Sequence, residues 1–331
     1  MKKVAVIGSN SFSGSDFIDY ILKVRDYNVL GISRSPEKSE VFLPYKKNPN
    51  LNRFKYYQMD LNRDMKGLKE LLLAEKPNYI INFAAQSEVA PSWEHPEQWF
   101  QTNAVAIAAL GDFLRQQGWL ERYVHISSPE VYGTCEGIVK EDAPLNPSTP
   151  YAASKAAGDL MLFTLVKQYN FPLVMIRSTN VYGAYQQLFK IIPRSVIYLK
   201  MGKKIQLHGG GHAVKSYIHI RDVSKGELMA MEQNHHYGEI YHLSPNKGVA
   251  VRDVVSKICA LLSKSFEDST ITVAERPGQD KAYVIDSACA EDTLGWVPNI
   301  DMDTGLIRVI NWIEKNWNAI KKESLEYMHK P

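Results

Sequence analysis

What most constrains this chain is a rhythm: through its first half, short apolar runs alternate with amphipathic segments. Residues 4–7, 28–33, 54–59, 79–84, 122–127 and 173–177 read as strands, the third less apolar than the others. Between them, residues 15–24, 65–75, 97–116 and 151–169 carry helical spacing, with Leu68, Leu71 and Leu72 on one face of the second. Strands that alternate with helices are joined by right-handed crossovers, which lay a parallel sheet between two helical layers. The expected fold is therefore α/β, a doubly wound parallel sheet. After Gly183 loops lengthen, Gly209, Gly210 and Gly211 interrupt the chain, and short strands at 215–220 and 240–243 mix with helices at 251–263 and 302–316. This predicts a smaller, mixed α/β C-terminal lobe over residues 184–331, with residues 1–183 as the first domain and segments around 217–245 returning to it.

Composition narrows the function classes. A chain of 331 residues is long enough for a large core and a second lobe. Its formal net charge of +3 gives no whole-molecule field to draw in a nucleic acid. No stretch approaches the roughly 20 apolar residues of a bilayer-spanning helix. The run at 4–7 is too short for a signal peptide, and lipidation and retention signals are absent, so a cytoplasmic location is expected. Cys135, Cys259 and Cys289 are odd in number and far apart. They form neither a disulfide framework nor a metal-ligand spacing, which suits a reducing compartment.

The first strand runs directly into Gly8-Ser9-Asn10-Ser11-Phe12-Ser13-Gly14, which opens the first helix. Glycine at such a turn lets the backbone approach a pyrophosphate, and the helix N-terminus offers N–H donors and a positive dipole end. A Rossmann-type dinucleotide-binding domain over residues 1–183 is expected, although Ser11 stands where the usual fingerprint has its middle glycine. The second strand ends in Gly31-Ile32-Ser33-Arg34-Ser35, without the acidic residue that an NAD site places on the ribose 2′-OH. Arg34, flanked by Ser33 and Ser35, suits a 2′-phosphate and favours NADP; an Arg34 stacked on adenine would leave NAD open. Asp60 and Leu61, after the third strand, are placed to meet the adenine edge.

Tyr151-Ala152-Ala153-Ser154-Lys155 puts a phenol and an amine at i and i+4 on one helix face. Of the 18 tyrosines, only Tyr151 has a lysine four residues on. A nearby ammonium favours phenolate, so the tyrosine can take a proton from an alcohol as hydride leaves. Upstream, Ser127-Ser128-Pro129-Glu130 follows a strand, where a hydroxyl can bond the same substrate oxygen. A helix-surface ion pair and a plain turn would each explain one motif; their order behind a dinucleotide turn points to a single site.

With these residues assembled, the chain resembles the extended short-chain dehydrogenase/reductases, and among them the nucleotide-sugar 4,6-dehydratases. The likeness rests on residues 8–14, on Ala84-Ala85-Gln86-Ser87, on residues 127–133, on residues 150–155, on Asn180-Val181-Tyr182-Gly183, and on residues 276–286. The last segment is similar to dTDP-glucose 4,6-dehydratases, whereas Ala84 to Ser87 and Arg34 look more like GDP-mannose 4,6-dehydratases. The resemblance implies that Ser128 binds the sugar 4-OH, Tyr151 deprotonates it, and Lys155 orients the nicotinamide ribose. It also implies that Glu130 abstracts the C5 proton before water leaves from C6, and that the cofactor, NADP or NAD, is tightly held. Gly8, Asn10, Ser11, Phe12, Gly14, Ala84, Ala85 and Asn103 would serve the dinucleotide site. Gln86 and Ser87 would face the sugar, and Asn180, Lys190, Lys215 and Arg276 the diphosphate. A homodimer through a four-helix bundle, built from residues 102–115 and 152–169, is implied as well.

The chain departs from the dTDP-glucose pattern at Pro129, where those enzymes carry an acidic Asp; those acting on GDP-mannose manage without it. Glu130 separates dehydration from 4-epimerisation, which needs only the serine, tyrosine and lysine. A nucleotide-sugar 4-epimerase or related oxidoreductase is the alternative, and a non-catalytic NADP-binding sensor is a third reading. Ser128, Tyr151 and Lys155 together argue against the sensor.

Overall fold

Along β1 (Lys3–Ile7) successive side chains point to opposite faces, yet Val4 to Ile7 are all buried. Val4 and Val6 pack with Phe17, Ile18 and Ile21 on one side; Ala5 and Ile7 pack with Leu68, Leu72 and Ile107 on the other. A strand dry on both faces belongs inside a parallel sheet covered by helices. The computed structural model, which describes residues 1–134, 137–233, 237–274 and 282–330, has that architecture. β2 (Asn28–Ser33), β3 (Phe54–Gln58), β4 (Tyr79–Asn82), β5 (Arg122–Ile126), β6 (Leu173–Ser178) and β7 (Glu239–Leu243) join β1 in the order β7-β6-β5-β4-β1-β2-β3. Every neighbouring pair is parallel. Helix α1 (Phe12–Val24) covers one face together with Ile220–Glu232; α2 (Met65–Glu75), α3 (Ala106–Leu114) and α4 (Pro150–Tyr169) cover the other. A further core joins Ile192 and Val196 to Val254, Ile258, Leu306 and Val309, from helices Ile191–Lys200, Val251–Leu261 and Met302–Lys315.

Local chemistry sets the element ends. α1 begins at Phe12, three residues ahead of the sequence expectation, because Ser11 caps it by accepting from the Gly14 N–H at 3.0 Å. β4 stops at Asn82, whose side chain accepts from the Ala84 N–H at 3.1 Å. The helix expected over 97–116 is not uniform: Pro96–Phe100 and α3 are joined by a π turn, Gln101–Val105. The strand expected at 215–220 divides. Val214–Lys215 enters a small four-stranded sheet, while Tyr217–His219 pairs with Asn180–Tyr182. The Ser216 carbonyl between them accepts from the Asn180 amide N–H at 3.1 Å.

Candidate active site

Strand order reverses between β1 and β4, and in such sheets a crevice opens at the strand C-termini of that switch point. Gly8 begins the crevice with φ +87°, and a Cβ there would lie 2.7 Å from the Ala84 nitrogen. A Cβ at Gly14 would lie 2.4 Å from the Gly8 carbonyl oxygen. These glycines let strand, turn and helix meet without side chains between them. The crevice widens to a cleft of about 590 Å³ lined by Gly8, Asn10, Ser11, Phe12, Ser33, Arg34, Asp60, Leu61, Ala84, Ala85, Gln86 and Ser87. The Asn10 amide N–H donates to the Ser33 hydroxyl at 3.0 Å, and its side chain donates to the carbonyls of Ser35 and Pro36 at 2.9 Å, fixing the loop that carries Arg34. Asp60 accepts from the Asn62 N–H at 2.7 Å, and Asn62 donates to Thr102 at 2.9 Å. Asn62, Thr102, Tyr185, Phe189 and parts of the C-terminal segment also line the cleft, and the sequence reading passed over all of them.

Asn103 sits in the π turn rather than in the cleft lining. Its side chain accepts from the Gln86 N–H and donates to the Gln86 carbonyl, both at 2.9 Å, and also donates to Ser154 at 2.9 Å. It thereby ties the loop after β4 to the first turn of α4. That helix starts where Thr149 accepts from the Ala152 N–H at 3.1 Å, with Pro150 following in the first turn.

On α4, Tyr151 and Lys155 are 8% and 2% exposed. The Tyr151 phenol meets the Ser128 hydroxyl, and Ser128 also accepts from the Glu130 N–H at 3.2 Å. The Glu130 carboxylate acts on the phenol by its charge. Glu88, which lines the cleft, acts on the same phenol. The expected depression of Tyr151 by its lysine is absent. Burial, and then the Glu130 charge, hold the phenol above its usual range, with Ser128 opposing them. The Lys155 amine instead donates to the Ile126 carbonyl at 2.7 Å and lies 3.4 Å from His125 Nε2. Burial brings Lys155 down to about 8; Asp159 opposes the shift and Arg177 deepens it.

Beneath Lys155 lies a buried polar layer that the sequence reading missed. Asp159 accepts from the Ser127 hydroxyl at 2.5 Å and from Arg177 at 2.8 Å. Arg177 also donates to the Tyr132 hydroxyl at 2.5 Å, which lies 2.7 Å from His242 Nε2. His242 Nδ1 donates to the Asp286 carbonyl at 2.9 Å. Asp159 stands four residues beyond Lys155, so it extends the stripe that Tyr151 and Lys155 begin. That spacing was the one available signal.

Of the residues expected to meet a diphosphate, Asn180, Lys190 and Lys215 are not among those lining the cleft. Lys190 pairs with Glu88 at 2.6 Å, Asn180 donates from its side chain to the Ser216 carbonyl at 3.2 Å, and Lys215 lies half-buried on its short strand. Arg276 lies outside the described residues.

A family model described as GDP-mannose 4,6 dehydratase matches residues 6–309. The chain belongs to that family. It is 28% identical to the dTDP-glucose 4,6-dehydratase of Haemophilus influenzae, over 94% of this chain and 98% of that one. The crystal structure of DesIV, a dTDP-glucose 4,6-dehydratase from Streptomyces venezuelae with NAD and a TDP ligand bound, superposes with a TM-score of 0.87. It is 29% identical over 96% of this chain and 98% of that chain. A UDP-glucuronic acid 4-epimerase from Bacillus cereus reaches a TM-score of 0.84 at 24% identity, over 95% of this chain and 99% of that one, which is a likeness of fold. The seven-stranded parallel sheet with its helices matches the Rossmann-type α/β fold of the dTDP-glucose 4,6-dehydratase structure. Among the described residues no helix is long and apolar enough to cross a membrane.

Proposed function

We propose that this chain is a nucleotide-sugar 4,6-dehydratase, converting an NDP-hexose to an NDP-4-keto-6-deoxyhexose through transient oxidation at C4. The observation that carries this reading is the Ser128 hydroxyl bonded to the Tyr151 phenol, with the Glu130 charge acting on that phenol, on a chain alike along nearly its whole length to dTDP-glucose 4,6-dehydratases. A 4-epimerase needs only the serine, tyrosine and lysine, so a carboxylate acting on the same phenol favours dehydration.

The cleft suits a nicotinamide dinucleotide. Its glycines let strand, turn and helix close together at its base, a helix N-terminus opens onto it, and the buried Asn10 Oδ1 has no partner among the described residues. Gly8, Asn10, Ser11, Phe12 and Gly14 would cradle the pyrophosphate, Asp60 and Leu61 would flank the adenine, and Ala84 and Ala85 would form the floor. Asn103 would act by holding Gln86 in place. NAD is the dinucleotide in the DesIV structure; exposed Arg34, with Ser33 and Ser35 beside it, suits the extra phosphate of NADP. When bound, this group supplies the hydride acceptor at C4 and the hydride donor at the return.

Tyr151 takes the C4 hydroxyl proton while Ser128 holds the same oxygen. Lys155, its amine held by the Ile126 carbonyl, would orient the nicotinamide ribose. Oxidation at C4 acidifies C5, and Glu130 removes that proton. Pro129 carries no proton, so Glu130 returns the one it holds to the C6 hydroxyl, which leaves as water. As the hydride returns to C6, C5 is reprotonated by Glu130 after it has been recharged through solvent with the proton Tyr151 took from the C4 hydroxyl, and the net change is the loss of one water. Gln86 and Ser87 would face the sugar, with Asn180, Lys190, Lys215 and Arg276 on the diphosphate. Exposed Val105, beside α3, and Leu160, on α4, support a homodimer through a four-helix bundle.

Incubation with dTDP-glucose, UDP-glucose, GDP-mannose and CDP-glucose, read by mass spectrometry, should give from one of them a product lighter by one water. A stereoisomer of equal mass would overturn dehydration in favour of epimerisation. In Glu130→Gln, water loss should stop while C4 oxidation stays measurable; an undiminished dehydration rate would remove Glu130 from the mechanism.

A further inference from the structure

Chain termini are usually loose unless something ties them down. After the short helix Trp317–Ile320, residues 321–330 form neither helix nor strand, yet they run back across the cleft beside Gly8. They are tied at three points. The Lys330 carbonyl accepts from the Gln86 side-chain amide at 2.8 Å. The His329 ring lies nearly parallel to Trp99, with centroids 5.2 Å apart, and to His95, at 5.6 Å. The Tyr327 ring meets Phe189 edge-on at 5.4 Å. His329 Nε2 is 2.7 Å from Gln98 Oε1 and Nδ1 is 3.2 Å from the Tyr327 hydroxyl, so the Nε2–H tautomer satisfies both ring nitrogens. Glu323, Tyr327, Met328 and Lys330 line the same cleft as Gly8 and Arg34.

We infer that residues 321–330 are a strap forming the outer wall of the dinucleotide site, with His329 as its latch on Trp99 and Gln98. The inference rests on the dinucleotide reading above. The strap leaves the 590 Å³ cleft open beneath it, so it is a wall and not a plug. A ligand lying along the glycine turn is flanked by sheet, helix N-terminus and strap, so its release is slowed while the strap is down. Because the ties are only a few hydrogen bonds and ring contacts, the strap can open without unfolding either core. This gives tight cofactor retention a physical cause in the chain's own terminus, and it makes Gln86 a residue shared between strap and site.

The test compares the full chain, a chain ending at Glu323, and full-length His329→Ala. Each is loaded with NADH or NADPH, stripped of free dinucleotide, and followed by the nicotinamide fluorescence lost on release. Removing a hydrogen bond and a ring contact should speed release on the order of tenfold in His329→Ala, and more in the shortened chain. The unfolding midpoint without dinucleotide should stay within a few degrees, since both cores remain intact. Equal release rates in all three proteins would overturn the strap while leaving the dinucleotide site standing. Faster binding with unchanged release would also overturn it, marking the segment as an obstruction. If the full chain bound neither dinucleotide, the site reading itself would fall and the strap with it. Should the shortened chain not fold, His329→Ala alone decides the matter.

Discussion

Beneath Lys155, the side chains of Asp159, Arg177, Tyr132 and His242 are each at most 2% exposed and are joined by hydrogen bonds of 2.5 to 2.8 Å. In the cleft beside Gly8, by contrast, Arg34 is exposed, the lining is mostly loop, and one wall is a terminal segment held at three points. The difference teaches a division of labour. Groups that handle protons are fixed in a dry environment, where a displacement of an ångström is costly. Groups that hold a ligand by charge and shape stand in reach of water, where exchange is possible.

The largest effect should come from the dry side. Tyr151→Phe should reduce turnover by roughly 10²- to 10⁴-fold without changing the unfolding midpoint by more than a few degrees. Turnover within a factor of a few of the wild type would show that proton transfer lies elsewhere. Next, Asp159→Asn should cost about 3–5 kcal/mol in denaturant unfolding, because it leaves the Arg177 charge buried and uncompensated. Adding Arg177→Met should recover part of that loss. If Asp159→Asn matched the wild type in stability, the buried layer would not be the rigid floor described here.

On the wet side, Arg34→Ala should weaken NADP binding by about 1.5–3 kcal/mol, as expected for a charge-assisted contact, and leave folding stability within about 0.5 kcal/mol. Equal weakening of NAD would refute a 2′-phosphate contact. The smallest effect concerns acid. Burial, with Arg177 adding to it, holds His242 at about 4, and burial, with the Arg308 and Arg221 charges, holds His219 at about 3. Between about pH 6.5 and these values the unfolded chain takes up protons that the folded chain refuses. Stability is therefore full above the unfolded value and falls as the pH drops below about 6.5, on the order of 1 kcal/mol per pH unit for each histidine. His242→Gln should flatten that slope, measured as the unfolding midpoint between pH 7 and 5. An unchanged slope would place the acid sensitivity outside the buried layer.

Legibility in the sequence follows sequence distance. The strand rhythm, the turn from Gly8 to Gly14, and the Tyr151–Lys155 stripe are local patterns, and each was readable. The Lys155 amine's direction was not, since it is set by a carbonyl on β5 rather than by its own helix. Nor was the floor, because Asp159 finds Ser127 on the chain just after β5 and Arg177 on β6. The strap was the least readable element: its tie to Gln86 spans 244 residues, and nothing in its composition points to a cleft. The break in the helix expected at 97–116 is likewise tertiary. A Cβ on Gly158 would lie 2.3 Å from the Asn103 carbonyl oxygen, so α4 presses on the π turn too closely for propensity to have foretold it.

That π turn has a consequence for how the gene can change. It stores one residue more than a regular helix of the same rise would hold, so the face of α3 is out of phase with Pro96–Phe100 by about 100°. Ile107, Leu110 and Leu114 reach the core only because of this slip. A single-codon deletion in Gln101–Val105 would remove the stored residue and leave a regular helix, with these three side chains still on the core but Asn103 withdrawn from Gln86. Such a change would spare the helical layer and still release the loop at the mouth of the cleft.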